Sequence, residues 1–342
     1  MSVVPPYLLE ALERHPSERV RTAAQRTRSA RVPHEQPTRP AARIAVHRPH
    51  PKHRLIYDDR HEQVLPGVLV RSEAEPSSGD GDVDRAYDMA GETLDFYAAV
   101  FGRDSIDDRG MHVISTVHYG ERYLNAFWDG AQMVYGDGDG EVFASFTTCL
   151  DITAHELTHG VTQADVGFVY DGETAVLCES IADVFGSLVK QRMLGQTADE
   201  ADWVLGSGIY GSGIKGVGLR SMASPGSAYD DPLLGGRDPQ VAHMRDYVEL
   251  GTTERTAHRN CGIPNHAFYL FAKAVGGNAW DVAGHVWYDA LRSGLHRACE
   301  FRGFALATAE AARSHGAPVV EALHHAWRSV GVSVPQRAAS AG

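Results

Sequence analysis

Apolar positions follow two regimes along the chain. From Leu55 to about Tyr135 the pattern is mixed. Residues 82–101 repeat apolar side chains at helical spacing (Val83, Ala86, Met89, Ala90, Phe96, Val100) and stop at Gly102, which predicts a helix. Residues 112–119 and 132–135 are short, rich in β-branched and aromatic residues and bounded by glycines, which predicts strands, and the run 136–140 (Gly-Asp-Gly-Asp-Gly) predicts a turn. Beyond Phe143 the helical period dominates and predicts helices over 148–161, 175–193, 266–275, 279–293, 304–314 and 319–330. The stretch 206–236, rich in glycine, serine and proline, predicts a long surface loop. At the start there is one short helical pattern, 8–12, and then no apolar period through Pro51, as expected of a propeptide or linker. The pattern predicts a β-containing N-terminal half, a helical C-terminal half and a cleft where they meet.

Charge sharpens the view of the N-terminal segment. The chain has 342 residues and a net charge of −12, yet residues 1–54 hold eleven Arg or Lys against four Glu, a net +7 that leaves −19 on the rest. Such an arm could bind nucleic acid, but it has little aromatic character and no recognised binding module, so it is expected to lie against its own acidic body. No apolar run reaches the length of a membrane span, and the start lacks the basic and apolar regions of a secretory signal. A monomer that is cytoplasmic, or exported by a leaderless route, is expected. Cys149, Cys178, Cys261 and Cys299 form no C-x-x-C pair and are expected to be reduced and mostly buried.

The chemistry centres on His155-Glu-Leu-Thr-His159. On a helix, His155 and His159 lie one turn apart and project side by side toward one metal ion, and neutral imidazole suits zinc. Glu156 is offset around the helix, where its carboxylate can work on a metal-activated water without ligating the metal. Catalytic zinc usually takes three protein ligands, and Glu179, twenty residues beyond His159 on a second apolar-faced helix, supplies the third. Asp183, one turn further on, can accept a hydrogen bond from a ligand histidine's other ring nitrogen. No G-x-S-x-G elbow is present, and a cysteine nucleophile would need one of four thiols expected to be buried.

These residues stand within a longer series of motifs, Asn125-Ala-Phe-Trp128, Met133-Val-Tyr-Gly-Asp-Gly-Asp-Gly140, Glu179-Ser-Ile-Ala-Asp183, Leu219-Arg-Ser-Met222 and Asn260-Cys-Gly-Ile-Pro-Asn265. In this order the series, spanning roughly residues 55–335, resembles the thermolysin-like metallopeptidases, and Val3-Val-Pro-Pro-Tyr-Leu-Leu9 is similar to the short propeptide of the protealysin-like branch. The resemblance implies an α+β, two-lobed zincin architecture divided into a propeptide (1–50), a β-containing lobe with the zinc helix (51–170) and a helical lobe (171–342). It implies a zinc-dependent endopeptidase, made as an autoprocessed precursor cut near residues 40–52, that acts on peptide or protein and carries its own propeptide in cis. His155, His159 and Glu179 would be the ligands of one zinc and Glu156 the acid/base. Tyr170 and His258 would donate to the developing oxyanion, and Asn125, the Ala126 backbone and Arg220 would grip the peptide. Phe143, Phe146, Ile152, Leu205 and Leu219 would line the pocket for the residue after the scissile bond, favouring bulky apolar side chains.

Two departures qualify the resemblance. The family's Asp-Asn-Gly-Gly-Val-His run reads Thr253-Glu-Arg-Thr-Ala-His258, so the carboxylate that would orient the histidine is a threonine, with Glu254 as the candidate substitute. At the family's double calcium site only Asp151 and Asp202 remain, while Lys190, Val204 and Ser207 replace the other ligands. A cationic side chain argues against calcium, and the double site is expected to be absent. Two other readings compete. A zinc aminopeptidase fits poorly, since its ligand spacing is one residue shorter and no Gly-Ala-Met-Glu-Asn segment is present. A decayed protease rests only on the Thr253 change.

Overall fold

A computed structural model describes residues 2–30, 53–250 and 252–334. Two helices open the chain, α1 (Pro6–Leu12) and α2 (Glu18–Ser29). The second departs from the aperiodic segment expected after residue 12. Its buried face is Val20, Ala23, Ala24 and Thr27, spaced as a helix requires but built of small side chains. As the charge pattern implied, the arm lies on the body: Arg19 donates to the Asp139 carbonyl and Arg26 pairs with Glu121. The expected cleavage region, 40–52, falls outside the described residues, as does the boundary at residue 50.

The N-terminal lobe is built on a five-stranded mixed sheet of β1 (Arg54–Asp58), β2 (Val68–Ser72), β3 (Val113–Val117), β4 (Ala126–Trp128) and β5 (Met133–Tyr135), in the order β2-β1-β3-β5-β4. β4, the edge strand, is paired antiparallel to β5. Helix α3 (Gly81–Phe101) packs on the sheet. The Asp80 side chain caps it by accepting from the Asp82 and Val83 amides, and Gly102 ends it at φ +63°, a turn the sequence had marked. Strands β1, β2 and β4 lie outside the predicted ones.

Two buried helices follow: α4 (Leu150–Asp165) packs against β4 and β5, and α5 (Gly172–Leu194) packs along α4. Their close approach turns on one residue. A Cβ at Gly186 would stand 2.6 Å from the Asp151 carbonyl oxygen and 3.3 Å from the His155 amide nitrogen, so only glycine lets the backbones meet beside His155.

The C-terminal lobe adds α6 (Thr253–Asn260), α7 (Gly262–Val275), α8 (Ala283–Leu291), α9 (Phe301–Ala312) and α10 (Ala317–Ser329). All but α6 match predicted helices. Their core includes Trp287 and Trp327, stacked with ring centres 5.9 Å apart, and Phe268 edge-on to Trp287. Residues 206–236 correct the surface-loop expectation, since Ile209, Leu219, Arg220, Met222 and Tyr229 are buried, and β7 (Arg220–Ser221) pairs with β6 (Val204–Leu205). The buried residues come singly between glycines and polar residues, so no period announces them. The four cysteines are free and buried. Among the described residues no helix is long and apolar enough to cross a membrane.

Candidate metal centre

Helix α4 carries His155, Glu156 and His159 into the cleft, and α5 carries Glu179 and Asp183 against them; all five are fully buried. The two histidine Nε2 atoms are 3.2 Å apart, and Glu179 Oε2 lies 3.5 Å from that of His155 and 3.8 Å from that of His159. A tetrahedral zinc with bonds of about 2.0–2.1 Å holds its ligand atoms about 3.3 Å apart, so this spacing fits one such ion. Without a cation, two imidazole nitrogens would confront each other beside a carboxylate oxygen that has no hydrogen-bond partner. The donor set therefore suits zinc.

Around this triad each remaining group is held. His155 Nδ1 lies 2.9 Å from Asp183 Oδ1. Asp183 is fixed on its other side by Arg220, whose Nε reaches Oδ2 at 2.9 Å and whose Nη2 reaches Oδ1 at 2.8 Å, and by Asn265 Nδ2 at 2.8 Å. Burial works to raise the Asp183 pKa, but Arg220 and His155 hold it well below the usual carboxylate range. Glu156 accepts the Trp128 amide at 2.9 Å on Oε2, while Oε1 has no hydrogen-bond partner. Burial, opposed by His155, pushes this carboxyl up to about 7.

His258 and Tyr170 complete the ring of polar groups. The half-buried Tyr170 donates to Glu179 Oε1 at 2.6 Å, and His258 Nε2 is 3.4 Å from Glu179 Oε2. The expectation that the Glu254 carboxylate orients His258 is corrected. Its Nδ1 meets the Glu254 backbone carbonyl at 2.9 Å, one turn back on α6, while Thr253 points elsewhere, donating to Asp171 at 3.2 Å. A helix supplies that i−4 carbonyl for nothing, so the missing carboxylate is replaced by backbone.

The substrate-gripping candidates also converge, on the chain's own head. Val3 N–H donates to the Ala126 carbonyl at 3.2 Å, Val4 N–H to Asn125 Oδ1 at 2.9 Å, and Arg220 Nη1 to the Val3 carbonyl at 2.7 Å. The five predicted pocket residues, Phe143, Phe146, Ile152, Leu205 and Leu219, are all buried. Sequence reasoning gave no role to Asn265 or to the Trp128 amide, although both lie inside motifs it had singled out.

At the position of the family's double calcium site, Lys190 Nζ sits 3.1 Å from Asp151 Oδ2 and 3.0 Å from Asp202 Oδ1 and donates to the Val204 carbonyl. An ammonium tethered to α5 occupies the space between the two carboxylates.

The sequence comparisons agree with this geometry. The family model described as the thermolysin metallopeptidase catalytic domain matches residues 54–163, and that of its alpha-helical domain matches 166–332. An extracellular metalloprotease of Pectobacterium carotovorum subsp. carotovorum is 45% identical over 341 residues, covering 98% of this chain and 97% of its own. The chain belongs to the thermolysin family of metallopeptidases. A further relative in this family, protease PrtS of a Photorhabdus species, strain Az29, is 47% identical over 83% of the chain and 77% of its own length. Among solved structures, the precursor of protealysin, a metalloproteinase from Serratia proteamaculans, superposes with a TM-score of 0.90 at 44% identity over 97% of this chain and 100% of the other. A thermolysin-like fold, with a β-containing catalytic domain and a helical one, is thus common to this metallopeptidase and its relatives.

Proposed function

We propose that this metallopeptidase is a zinc-dependent endopeptidase that cuts on the amino side of bulky apolar residues and is made as a precursor inhibited by residues 2–30. The observation that carries the reading is the convergence of His155 Nε2, His159 Nε2 and Glu179 Oε2 beside a Glu156 carboxylate with one uncommitted oxygen. When bound, zinc supplies Lewis acidity toward water and the scissile carbonyl. Glu156, buried and raised to about 7, is suited both to take a proton from the attacking water and to return it to the leaving amine near neutral pH. The Trp128 amide holds the other carboxylate oxygen, which keeps the free one aimed. His258 and Tyr170 would donate to the carbonyl oxygen as it becomes negative, each donor being worth about 2.7–4 kcal/mol. Asn125, Ala126 and Arg220 would hold the peptide backbone as they now hold residues 3 and 4.

The five pocket residues offer an apolar surface, and burying a Leu, Val or Phe there contributes about 1.5–3 kcal/mol. While the head occupies Asn125, Ala126 and Arg220, a substrate cannot use them, so removal of the N-terminal segment should be needed for full activity. The test is hydrolysis of an internally quenched peptide with a central Gly-Leu bond by the processed chain and its Glu156→Ala variant. Cleavage lost in the variant with about one zinc per chain retained supports the reading; equal silence in both with zinc bound refutes it.

A further inference from the structure

The head of the chain lies in the cleft in a register that singles out one peptide bond. Ser2 sits opposite Phe127 of the edge strand in an antiparallel bridge. Its carbonyl oxygen is 2.9 Å from His258 Nε2. The next residue, Val3, gives its N–H to Ala126 and its carbonyl to Arg220, and its side chain is fully buried in the apolar core. Val4 exchanges two hydrogen bonds with the Asn125 side chain, at 2.9 and 3.3 Å. The carbonyl turned to His258 therefore belongs to Ser2, the buried apolar residue after it is Val3, and the bond between them is Ser2–Val3.

Sliding the head by one residue is disfavoured in both directions. With Val4 in the place of Val3, Pro5 would face Asn125 Oδ1 with no N–H to give. With Ser2 in that place, a hydroxyl would enter an apolar pocket. Pro5 and Pro6 thus act as a stop behind Val4.

We propose that Ser2–Val3 is a self-cleavage site, distinct from any cut that frees the whole N-terminal segment. The proposal rests on the endopeptidase reading. Water adds to the Ser2 carbonyl carbon, Glu156 carries its proton to the Val3 nitrogen, and the C–N bond breaks, leaving a Ser2 carboxylate and a new amino terminus at Val3. The cut is slow to proceed further, because Arg220 and Asn125 still hold residues 3 and 4, and α1 and α2 still anchor the segment.

The test uses the full chain, purified without metal and then given zinc, followed by intact mass and N-terminal sequencing. The expected result is a species beginning at Val3, its mass lower by the residues preceding Val3, in wild type and not in Glu156→Ala. A Val3→Glu variant should lose this species while its processed enzyme still cuts a quenched peptide. In metal-free Glu156→Ala protein the Val3 and Val4 amides should exchange slowly with deuterium, and this protection should vanish on adding Val3→Glu. A zinc-loaded wild type that cuts the quenched peptide while its released propeptide keeps Ser2 joined to Val3 overturns the proposal. So does rapid exchange at both amides. A chain silent on both peptide and head overturns it together with the endopeptidase reading.

Discussion

Lys190→Met removes the only ammonium that faces Asp151 among the described residues while keeping the side chain's length. Asp151 is 1% exposed and would retain only the Ile152 and Gly206 amides, at 3.0 Å each. Leaving a buried charge without its partner costs about 3–5 kcal/mol. The Asp202 arm adds little, since that carboxylate is 44% exposed and such pairs contribute about 0–1 kcal/mol. Burial already raises the Asp151 pKa and Lys190 is the chief force lowering it, so without Lys190 the carboxyl can escape part of the cost by taking up a proton. A carboxyl raised in the folded state destabilises it above the unfolded value of about 3.9. The loss should therefore be small near pH 4–5 and grow to about 3–5 kcal/mol at pH 8. Urea unfolding, followed by tryptophan fluorescence on a zinc-loaded Glu156→Ala background, measures it. Adding Asp151→Asn should recover much of the loss at pH 8 and little at pH 4.5. A cost below about 1 kcal/mol at pH 8, with no rescue by Asn, would refute the claim that Lys190 neutralises a buried carboxylate. Wild-type stability should also be unchanged between calcium and a calcium-selective chelator, because the space between Asp151 and Asp202 already holds a cation.

Other consequences can be measured directly. Stripping zinc from the Glu156→Ala protein should cost about 4 kcal/mol at a thousandfold excess over Kd and lower Tm by about 10 °C; an unchanged melt would mean that the triad is not a zinc site. His118 hydrogen-bonds Asp137 at 2.9 Å and also faces Asp80, which together, against burial, raise its pKa to about 9. A raised histidine stabilises fully below its unfolded value of about 6.5 and loses that stabilisation as pH climbs through 9, so about 1–2 kcal/mol, allowing for screening, should disappear between pH 6 and 10. His118→Gln should flatten that slope; an unchanged slope would exclude the pair as its source. Because the Glu254 backbone, not residue 253, orients His258, Thr253→Ala should leave kcat/KM of the processed enzyme within about twofold, whereas His258→Ala should lower kcat about 10²–10³-fold. A large loss in Thr253→Ala would reassign the orienting role.

Much of the site was legible because it is written in local spacings. His155, Glu156 and His159 share one helix, Glu179 and Asp183 another, and one glycine brings the two helices together. The long helices were legible for the same reason, through repeated apolar faces. What escaped is structure that local pattern does not encode. β1 is a short strand whose parallel partner, β3, is distant in sequence, and β2 is an edge strand with Val68, Leu69 and Val70 exposed, so neither shows a buried-face alternation. Helix α2 hides its face in alanine and threonine, and α6, with Thr256, Ala257, His258 and Asn260 inside, has almost no apolar residue to betray it. The support of His258 was missed because backbone carbonyls carry no sequence signal. Asn265 was visible as part of a motif, but only tertiary contact gives it Asp183 as partner.

Arg220 illustrates a limit on how this enzyme can change. One planar fork neutralises Asp183, the carboxylate behind His155, and, with its remaining nitrogen, holds the Val3 carbonyl in the cleft. On the proposed function, affinity for the ion and grip on the chain being cut would therefore be pleiotropic at this position. A shorter or differently shaped cation such as lysine would have to give up one of the two. Drift in sequence preference should accordingly run through apolar side chains such as Leu205 and Leu219, which carry no charge or hydrogen bond to lose, leaving the guanidinium as the fixed point around which new specificities arise.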